Sequence, residues 1–131
     1  MMRSVKDRLH RTELHYACVD ADMQQLRALL GAGADPNATD ANGWTPLHFA
    51  AQANWTEGAM ALIEAGATVD SEDRDGNTPL SNAVFNSRGY GAVIKVLLEA
   101  GADPSHENRH GVSPRSLAQT ISNYDIAQYF D

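Results

Sequence analysis

The sequence predicts an all-α protein built as a solenoid of about four helix-turn-helix repeats, and three recurring marks support that prediction. Segments that open with a hydroxyl residue start 33, 33 and 35 positions apart, at Thr12, Thr45, Thr78 and Ser113. A Gly-Ala pair recurs at residues 33, 66 and 101, and a turn glycine recurs at residues 43, 76 and 111. Marks that share one period and one two-residue insertion indicate tandem structural units.

The N-terminal segment, residues 1–11, is expected to cap the first repeat, with Val5 and Leu9 as its apolar contacts. The first unit is expected to lack the hairpin that precedes each later unit. No hydrophobic run follows the charged N-terminal residues, so the segment does not resemble a secretory signal. Together with a single cysteine, Cys18, this pattern favours a reducing, cytoplasmic location.

Each repeat begins with a helix-start signal. Thr45 can cap the first amides of a helix, and Pro46 suits the first helical position because no amide donor is needed there. Leu47 and the alanines after it make a short helix that can approach its neighbours closely. The second helix of the first repeat has an apolar stripe at helical spacing, formed by Met23, Leu26, Leu29 and Leu30.

Turn residues separate the helix pairs. Gly33 can end the second helix with a positive φ. Residues 35–37, Asp-Pro-Asn, and residues 40–43, Asp-Ala-Asn-Gly, favour turns, so a protruding hairpin or loop is predicted between repeats. One helix pair cannot cover its own apolar face, whereas a stack of pairs can.

These features resemble the ankyrin repeat, whose pattern runs Asp-x-x-Gly-x-Thr-Pro-Leu-His-x-Ala-Ala, then a Leu-Leu helix end and Gly-Ala-Asp. Residues 40–72 match this pattern over a full unit, and the resemblance extends over about residues 11–131. The resemblance implies a single domain, residues 1–131. Its repeats then cover about residues 12–39, 40–72, 73–107 and 108–131, with the terminal repeats acting as caps.

The resemblance also implies a structural role for two histidines. His15 and His48 stand at the position where the family's imidazole hydrogen-bonds loop backbone. Ser81 and Ser116 stand at the same position in the third and fourth units. We expect these serines to weaken the hydrogen-bonded network of their units.

The later units depart from the pattern in two further ways. Residues 86–91 make the connection between the helices of the third unit two residues longer and rich in glycine. In the fourth unit, Arg115 replaces a core leucine, and the last helix, from Tyr124 to Phe130, stops at Asp131. Both features of the fourth unit suit a terminal repeat that faces water on one side.

The sequence lacks the signatures of common enzyme classes. It has no Gly-x-Gly-x-x-Gly, no phosphate-binding loop, no His-Glu-x-x-His and no Gly-x-Ser-x-Gly. We therefore expect no catalytic residue, no metal site and no cofactor. His106 and His110 have the spacing of helical metal ligands but fall in a predicted hairpin. Cys18 stands where the pattern has a packed alanine and is expected to be a buried, unreactive thiol.

The net charge of −7 is unevenly distributed along the 131 residues. Residues 1–11 carry four basic side chains and one acidic one, net +3, whereas residues 12–131 carry six and sixteen, net −10. This acidity disfavours nonspecific binding to nucleic acids or anionic membranes, and no apolar run approaches the roughly 20 residues that cross a bilayer. The acidic stretch at residues 70–75 can be a solvated hairpin or an acidic rim that faces a basic partner.

Hairpin tips and first-helix surfaces are the expected partner-binding face. The candidate residues are Asn42, Trp44, Gln52, Trp55, Arg74, Asp75, Asn77, Phe85, Tyr90, Arg109, His110 and Val112. Exposed aromatic side chains are enriched at interface hot spots, so the aromatic candidates carry most weight. Trp44 and Trp55 can instead cover a neighbouring hairpin or helix end, and Phe85 and Tyr90 can instead hold the inserted loop against the stack.

The sequence therefore favours a non-enzymatic module that binds a partner protein with a basic surface, as a monomer or in a heterodimer. The similarity to small, acidic, stand-alone ankyrin-repeat proteins implies a narrower role, that of an immunity or inhibitor protein that neutralises a cognate bacterial toxin. The alternative is a regulatory or scaffold subunit of a larger enzyme complex.

Overall fold

The helix-start signals are followed by helices in the structure, a computed structural model that describes residues 8–121 and 127–130. Within these ranges all regular secondary structure is helical, which confirms the predicted fold class. The α-helices are α1 (Glu13–Val19), α2 (Met23–Gly31), α3 (Pro46–Gln52), α4 (Thr56–Glu64), α5 (Pro79–Asn86), α6 (Ala92–Glu99) and α7 (Pro114–Thr120), and a 3-10 helix spans Ala127–Phe130. Val5, Tyr124 and Asp131, which entered the sequence predictions, lie outside the described residues.

Capping explains where the first helices of the repeats begin. Thr12, Thr45 and Ser113 each accept a hydrogen bond from the backbone amide three residues along, and the side chain of that residue bonds the amide of the capping residue. This reciprocal pair satisfies amides that a helix start leaves without partners. Proline occupies the first turn of α3, α5 and α7, where its missing amide proton costs nothing.

The helices form a stack in which each pair packs against the next. α1 packs against α3, α3 against α5 and α5 against α7, while α2 packs against α4 and α4 against α6. The leucines buried between the units come from both layers of helices: Leu14, Leu26, Leu47, Leu62, Leu80 and Leu97. Neighbouring units thus cover the apolar face that a single helix pair leaves open.

A backbone ladder links the hairpins. The amide of Arg74 donates to the carbonyl of Asn42 at 3.0 Å, and the amide of Arg109 donates to the carbonyl of Asp75 at 2.9 Å. Gly43 permits this close approach, because it has a φ of +79° and an added Cβ would lie 3.0 Å from the backbone nitrogen of Arg74. The turn glycine is therefore required by both its own conformation and the next hairpin.

The ladder extends to residues 8–11, which corrects the expectation that the first unit lacks a hairpin. Ala41 donates its amide to the carbonyl of Leu9 at 2.7 Å, one repeat length before the bond between the second and third hairpins. His10 has a φ of +55° and stands 33 positions before Gly43. This part of the predicted cap therefore turns as the later hairpins do, and Leu9 contacts the stack through its carbonyl while its residue stays 38% exposed.

Two buried histidines tie each repeat to the next hairpin. His15 accepts at Nδ1 from the amide of Thr12 at 3.0 Å, and its Nε2 donates to the carbonyl of Trp44 at 2.8 Å. His48 repeats the arrangement one unit later, with Nε2 at 3.0 Å from the carbonyl oxygen of Asn77. The structural role expected of both imidazoles is confirmed.

The two serines that replace the histidine have different effects. In the third unit, the buried Thr78 hydroxyl has no hydrogen-bond partner among the described residues and does not cap α5. The weakening expected at Ser81 is therefore confirmed. In the fourth unit, Ser113 and Ser116 cap α7 reciprocally, so the expected weakening of the local network at Ser116 is wrong. A serine can complete a local cap, although it is too short to reach a following hairpin.

Replacing Ser81 with histidine is expected to raise the free energy of unfolding by about 0.5–2 kcal/mol. By repeat equivalence, the new Nε2 would donate to the carbonyl of Val112, and Nδ1 would face the amide and hydroxyl of Thr78. Urea unfolding followed by circular dichroism measures the change. Ser116→His is the matched control, because no hairpin stacks on that end of the described chain; an equal gain in both variants would contradict the inter-repeat bond.

The two buried histidines also make the fold sensitive to acid. Burial lowers the pKa of His15 and of His48 below the ordinary value of 6.5, although their bonds to backbone carbonyls oppose the shift. The unfolded chain therefore binds more protons as the pH falls through 6.5 towards the lowered pKa values, and stability is lost in that window. We expect the midpoint of urea unfolding to be lower at about pH 5.5 than at about pH 8. Equal midpoints would contradict neutral, buried imidazoles.

The residues of the third and fourth units that differ from the repeat pattern lie near the surface. The insertion in the third unit follows a lengthened α5, and Asn54 Nδ2 donates to the carbonyl of Asn86 at 2.7 Å, which ties the helix end to the second unit. Arg115 is exposed at the end of the stack and donates to Ser105 Oγ at 2.8 Å. An arginine is tolerated at this core position because, among the described residues, no further unit packs on it.

Candidate protein-binding surface

Two adjacent pockets form one continuous groove along the hairpins and the first helices of the repeats. The first pocket, of about 580 Å³, is lined by six of the predicted residues, Asn42, Trp44, Gln52, Arg74, Asp75 and Arg109. The second, of about 340 Å³, is lined by four of them, Trp44, Gln52, Asn77 and Phe85. Trp44 and Gln52 line both pockets, so we treat the two together as the groove.

Trp44 is held in place by the stack behind it. Its ring lies 4.8 Å from the ring of Phe49 and stacks on the imidazole of His48 at 5.8 Å, measured between centroids. The residue is only half-buried, so part of the ring faces the groove. Trp44 therefore packs against the start of α3, which agrees with the structural role that the sequence analysis offered as an alternative. It also lines the candidate binding surface.

Arg11 belongs to the first pocket, although the sequence analysis did not select it. Its guanidinium lies 4.9 Å from the ring centroid of Phe49, and its Nε is 3.7 Å from Asp40 Oδ2. The repeat spacing contained the signal that could have found it, because Arg11 stands 33 positions before Trp44. It was overlooked because residues 1–11 were expected to form a cap without a hairpin.

Two of the carboxylates in the first pocket serve the hairpins. Asp40 Oδ1 accepts the amides of Asn42 and Trp44, each at 2.9 Å. Asp73 Oδ1 makes the equivalent pair of bonds one unit later. Both residues are buried, so the carboxylate of Asp75 is the acidic group that the described lining of the pocket exposes.

The acidic stretch at residues 70–75 serves mainly the fold. Asp70 accepts the amide of Asp103 at 3.1 Å, and Glu72 Oε2 lies 2.7 Å from Nε2 of His106. These contacts join equivalent loops of successive repeats. The geometry favours the structural interpretation for most of the stretch; residues 73–75 line the groove, and Asp75 supplies the exposed carboxylate there.

The second pocket is less charged and contains the most exposed aromatic side chain of the groove. Phe85 is 72% exposed, and half-buried Leu117 lies on the far side of the same pocket. Asn77, Ser81 and Asn82 supply polar groups around them. This combination of an exposed ring with nearby amides can take an apolar side chain and also bond the backbone beside it.

Four predicted residues lie outside both pockets. Trp55 precedes α4 and its ring covers Gly58, where an added Cβ would collide with it, so it has the structural role left open for it. Tyr90 is 74% exposed in the inserted loop, and His110 and Val112 are exposed in the fourth hairpin. A role for these four side chains in binding a partner stays a prediction.

Cys18, His106 and His110 are the remaining groups that the sequence analysis considered. The expected burial of Cys18 is confirmed, and this burial raises the pKa of its thiol to about 12. His106 and His110 lie in the loop and turn of the fourth hairpin rather than on a helix. In the described ranges, no group of three or more histidine, cysteine or carboxylate side chains could hold a metal ion.

Comparison with known proteins identifies the repeats. A family model described as ankyrin repeats, in three copies, matches residues 10–108. The tyrosine-protein kinase HTK16 of Hydra vulgaris is 34% identical over 120 residues, which cover 92% of this chain and 16% of the kinase. The chain therefore spans about a sixth of that relative. None of the helices in the described ranges has the length and hydrophobicity that crossing a bilayer requires.

Proposed function

Because the chain belongs to the ankyrin-repeat family, a protein–protein interaction fold, we propose that it binds a partner protein through the groove and performs no catalysis itself. One observation carries this proposal: residues chosen from three different repeats line a single surface. They are Asn42, Trp44, Gln52, Arg74, Asp75, Asn77, Phe85 and Arg109.

The groove has the anatomy of an interface. Phe85 and Trp44 provide aromatic area near its centre, and exposed charges at Arg74, Asp75 and Arg109 lie towards the hairpin tips. Binding energy usually concentrates in central aromatic residues, while surrounding polar groups give specificity. A standard interface needs about 800 Å² from each partner, which a face spanning several repeats can supply.

Replacing Phe85 with alanine is expected to weaken partner binding by more than about 1 kcal/mol, with little effect on folding. Its ring is 72% exposed, so the fold gains little from it, whereas a partner in the second pocket would bury it. Affinity purification with the wild-type protein identifies the partner, and isothermal titration measures both affinities.

Tyr90→Ala is the matched control for this measurement. Tyr90 is equally exposed, at 74%, but lies in the inserted loop outside both pockets. Binding that falls with Phe85→Ala and not with Tyr90→Ala supports the groove. The opposite pattern would move the interface to the inserted loop.

A narrower form of the proposal is that the chain inhibits a basic partner, such as a cognate bacterial toxin. The acidic body of the chain supports it, because residues 12–131 carry six basic and sixteen acidic side chains. Co-expression with the product of the adjacent gene, followed by a growth-rescue assay and co-purification, tests this role. If there is no growth rescue and no complex forms, the inhibitor role is rejected, whereas the proposed binding module is not.

The second candidate is a scaffold or regulatory role beside an enzyme. The Hydra kinase favours it, because a similar stretch occupies a small part of a protein named for a catalytic activity. Co-purification with an enzyme whose activity changes on binding would support this role. A cytoplasmic location and a monomeric or heterodimeric state remain part of the proposal, and light scattering of the purified protein measures the latter.

A further inference from the structure

Arginine recurs at one position of the hairpins. Residues 8, 41, 74 and 109 follow one another at the repeat spacing, and three of them are arginine, namely Arg8, Arg74 and Arg109. The ladder holds the later positions side by side, because the amides of residues 41, 74 and 109 are its donors. Arg11 adds another guanidinium to the first pocket.

The carboxylates that line the first pocket are less accessible than its guanidiniums. Asp40 and Asp73 are only 6% and 8% exposed, and their oxygens accept hairpin amides. Asp75 alone exposes a carboxylate among the described residues that line the first pocket. Among the side chains that line the first pocket, the accessible guanidiniums therefore outnumber the accessible carboxylates, although the whole chain has a net charge of −7.

Local charge outweighs average charge for a ligand inside the groove. Charges are screened over about 8 Å at physiological ionic strength, so the side chains that line the groove act on a ligand inside it more strongly than distant charges do. Arg74 and Arg109 are exposed and form no ion pair within the described part of the chain. A guanidinium presents a planar fork of donors that matches a carboxylate.

We propose that the groove binds an acidic, extended segment of a partner protein. Its carboxylate lies between Arg74 and Arg109, and an adjacent apolar side chain packs on Phe85 in the second pocket. One continuous segment can do both, because Trp44 and Gln52 line both pockets. The inference rests on the proposed function and reverses the partner charge expected from composition. A nucleic acid fits less well, because its phosphates would extend beyond the groove over the acidic remainder of the chain.

Selection of short random peptides displayed on phage against the immobilised protein tests the inference. We expect enriched peptides to carry Asp or Glu near Phe, Leu or Trp. Synthetic peptides with Asn or Gln in place of the acidic residues are expected to bind more than about tenfold more weakly. Raising the salt concentration should also weaken the binding of the acidic peptides.

Charge-reversal variants assign the effect to the groove. The double variant Arg74→Glu with Arg109→Glu is expected to bind the acidic peptides more than about tenfold more weakly than the wild-type protein does. Arg27→Glu with Lys95→Glu makes the same charge change on α2 and α6 and should leave the affinity unchanged. Circular dichroism checks that each protein is folded, and the milder pair Arg74→Gln with Arg109→Gln gives the same comparison if charge reversal disturbs the hairpins.

Four outcomes would overturn the inference. Enrichment of basic or neutral peptides would reject the acidic segment but support the groove as a binding site. Acidic peptides whose affinity the Arg74 and Arg109 variants leave unchanged would place the site elsewhere. Enrichment of no peptide, or tighter binding of a single-stranded DNA oligonucleotide that depends on both arginines, would reject an acidic protein segment as the ligand. In each case, the Phe85 and Tyr90 comparison with a purified partner tests the proposed function separately.

Discussion

Replacing Leu47 with alanine is expected to lower the free energy of unfolding by about 2–5 kcal/mol. Leu47 is fully buried in α3, which packs against α1, α4 and α5. The shorter side chain loses its transfer free energy and leaves a cavity that close-packed neighbours cannot fill. An internal unit of a solenoid has an interface on each side, so this loss acts on both.

Urea unfolding followed by circular dichroism measures the effect of Leu47→Ala. Met60→Ala is the matched control, because Met60 is 46% exposed in α4 and its replacement should change stability by no more than about 0.5 kcal/mol. Unfolding of both variants at the same urea concentration would mean that Leu47 does not lie inside the stack.

Replacing His48 with alanine is expected to lower the free energy of unfolding by about 2–4 kcal/mol. The imidazole bonds the amide of Thr45 at 3.1 Å and the carbonyl of Asn77 at 3.0 Å, and it is fully buried. Without it, the buried amide of Thr45 loses its acceptor and the third hairpin loses a bond to the second repeat. The ring of Trp44 also loses the surface on which it stacks.

His110→Ala is the control for the loss of an imidazole, because His110 is exposed in the fourth hairpin. We expect that control to stay within about 0.5 kcal/mol of the wild type in urea unfolding. A second comparison uses His48→Ser. Serine is the residue that the third unit has at the equivalent position, Ser81. If His48→Ser left stability unchanged, the inter-repeat hydrogen bond would contribute nothing to the fold.

The same contacts decide which variants can report on binding. Trp44 lines both pockets but also packs on His48 and Phe49, so its replacement would change stability and binding together. Phe85 and Arg109 are exposed, and their side chains can be changed with little effect on the stack. Binding measurements should therefore use exposed groove residues and keep Trp44 intact.

The repeat spacing was sufficient to predict the helix pairs and half of the residues that line the groove. Equivalent positions of tandem repeats meet in space because each unit packs on the next in the same way. This is why Arg74 and Arg109, or Trp44 and Asn77, could be assigned to one face from their numbers alone. The buried environments of His48 and Cys18 followed from the same alignment.

The prediction failed where a residue departed from the type usual at its position. Residues 8–11 were not recognised as a hairpin because His10 stands where the later units have glycine, and only the backbone shows its positive φ. With that hairpin missing from the alignment, Arg11 was left out of the groove. The contact of the Trp55 ring with Gly58 lies within one unit, so the repeat spacing does not reveal it, and a binding role for Trp55 stays a prediction.

Within the described residues, the sequence by itself determined the order of the helices, their start signals, the stacking of the repeats and the face that their hairpins share. These properties follow from local chemistry and from periodicity, which the chain displays directly. Only the tertiary structure decided which charges are accessible. Asp40 and Asp73 count as acids in the composition, yet the fold buries both against hairpin amides and leaves Arg74 and Arg109 exposed beside the groove. Burial depends on neighbours distant in sequence, and net charge carries no information about it.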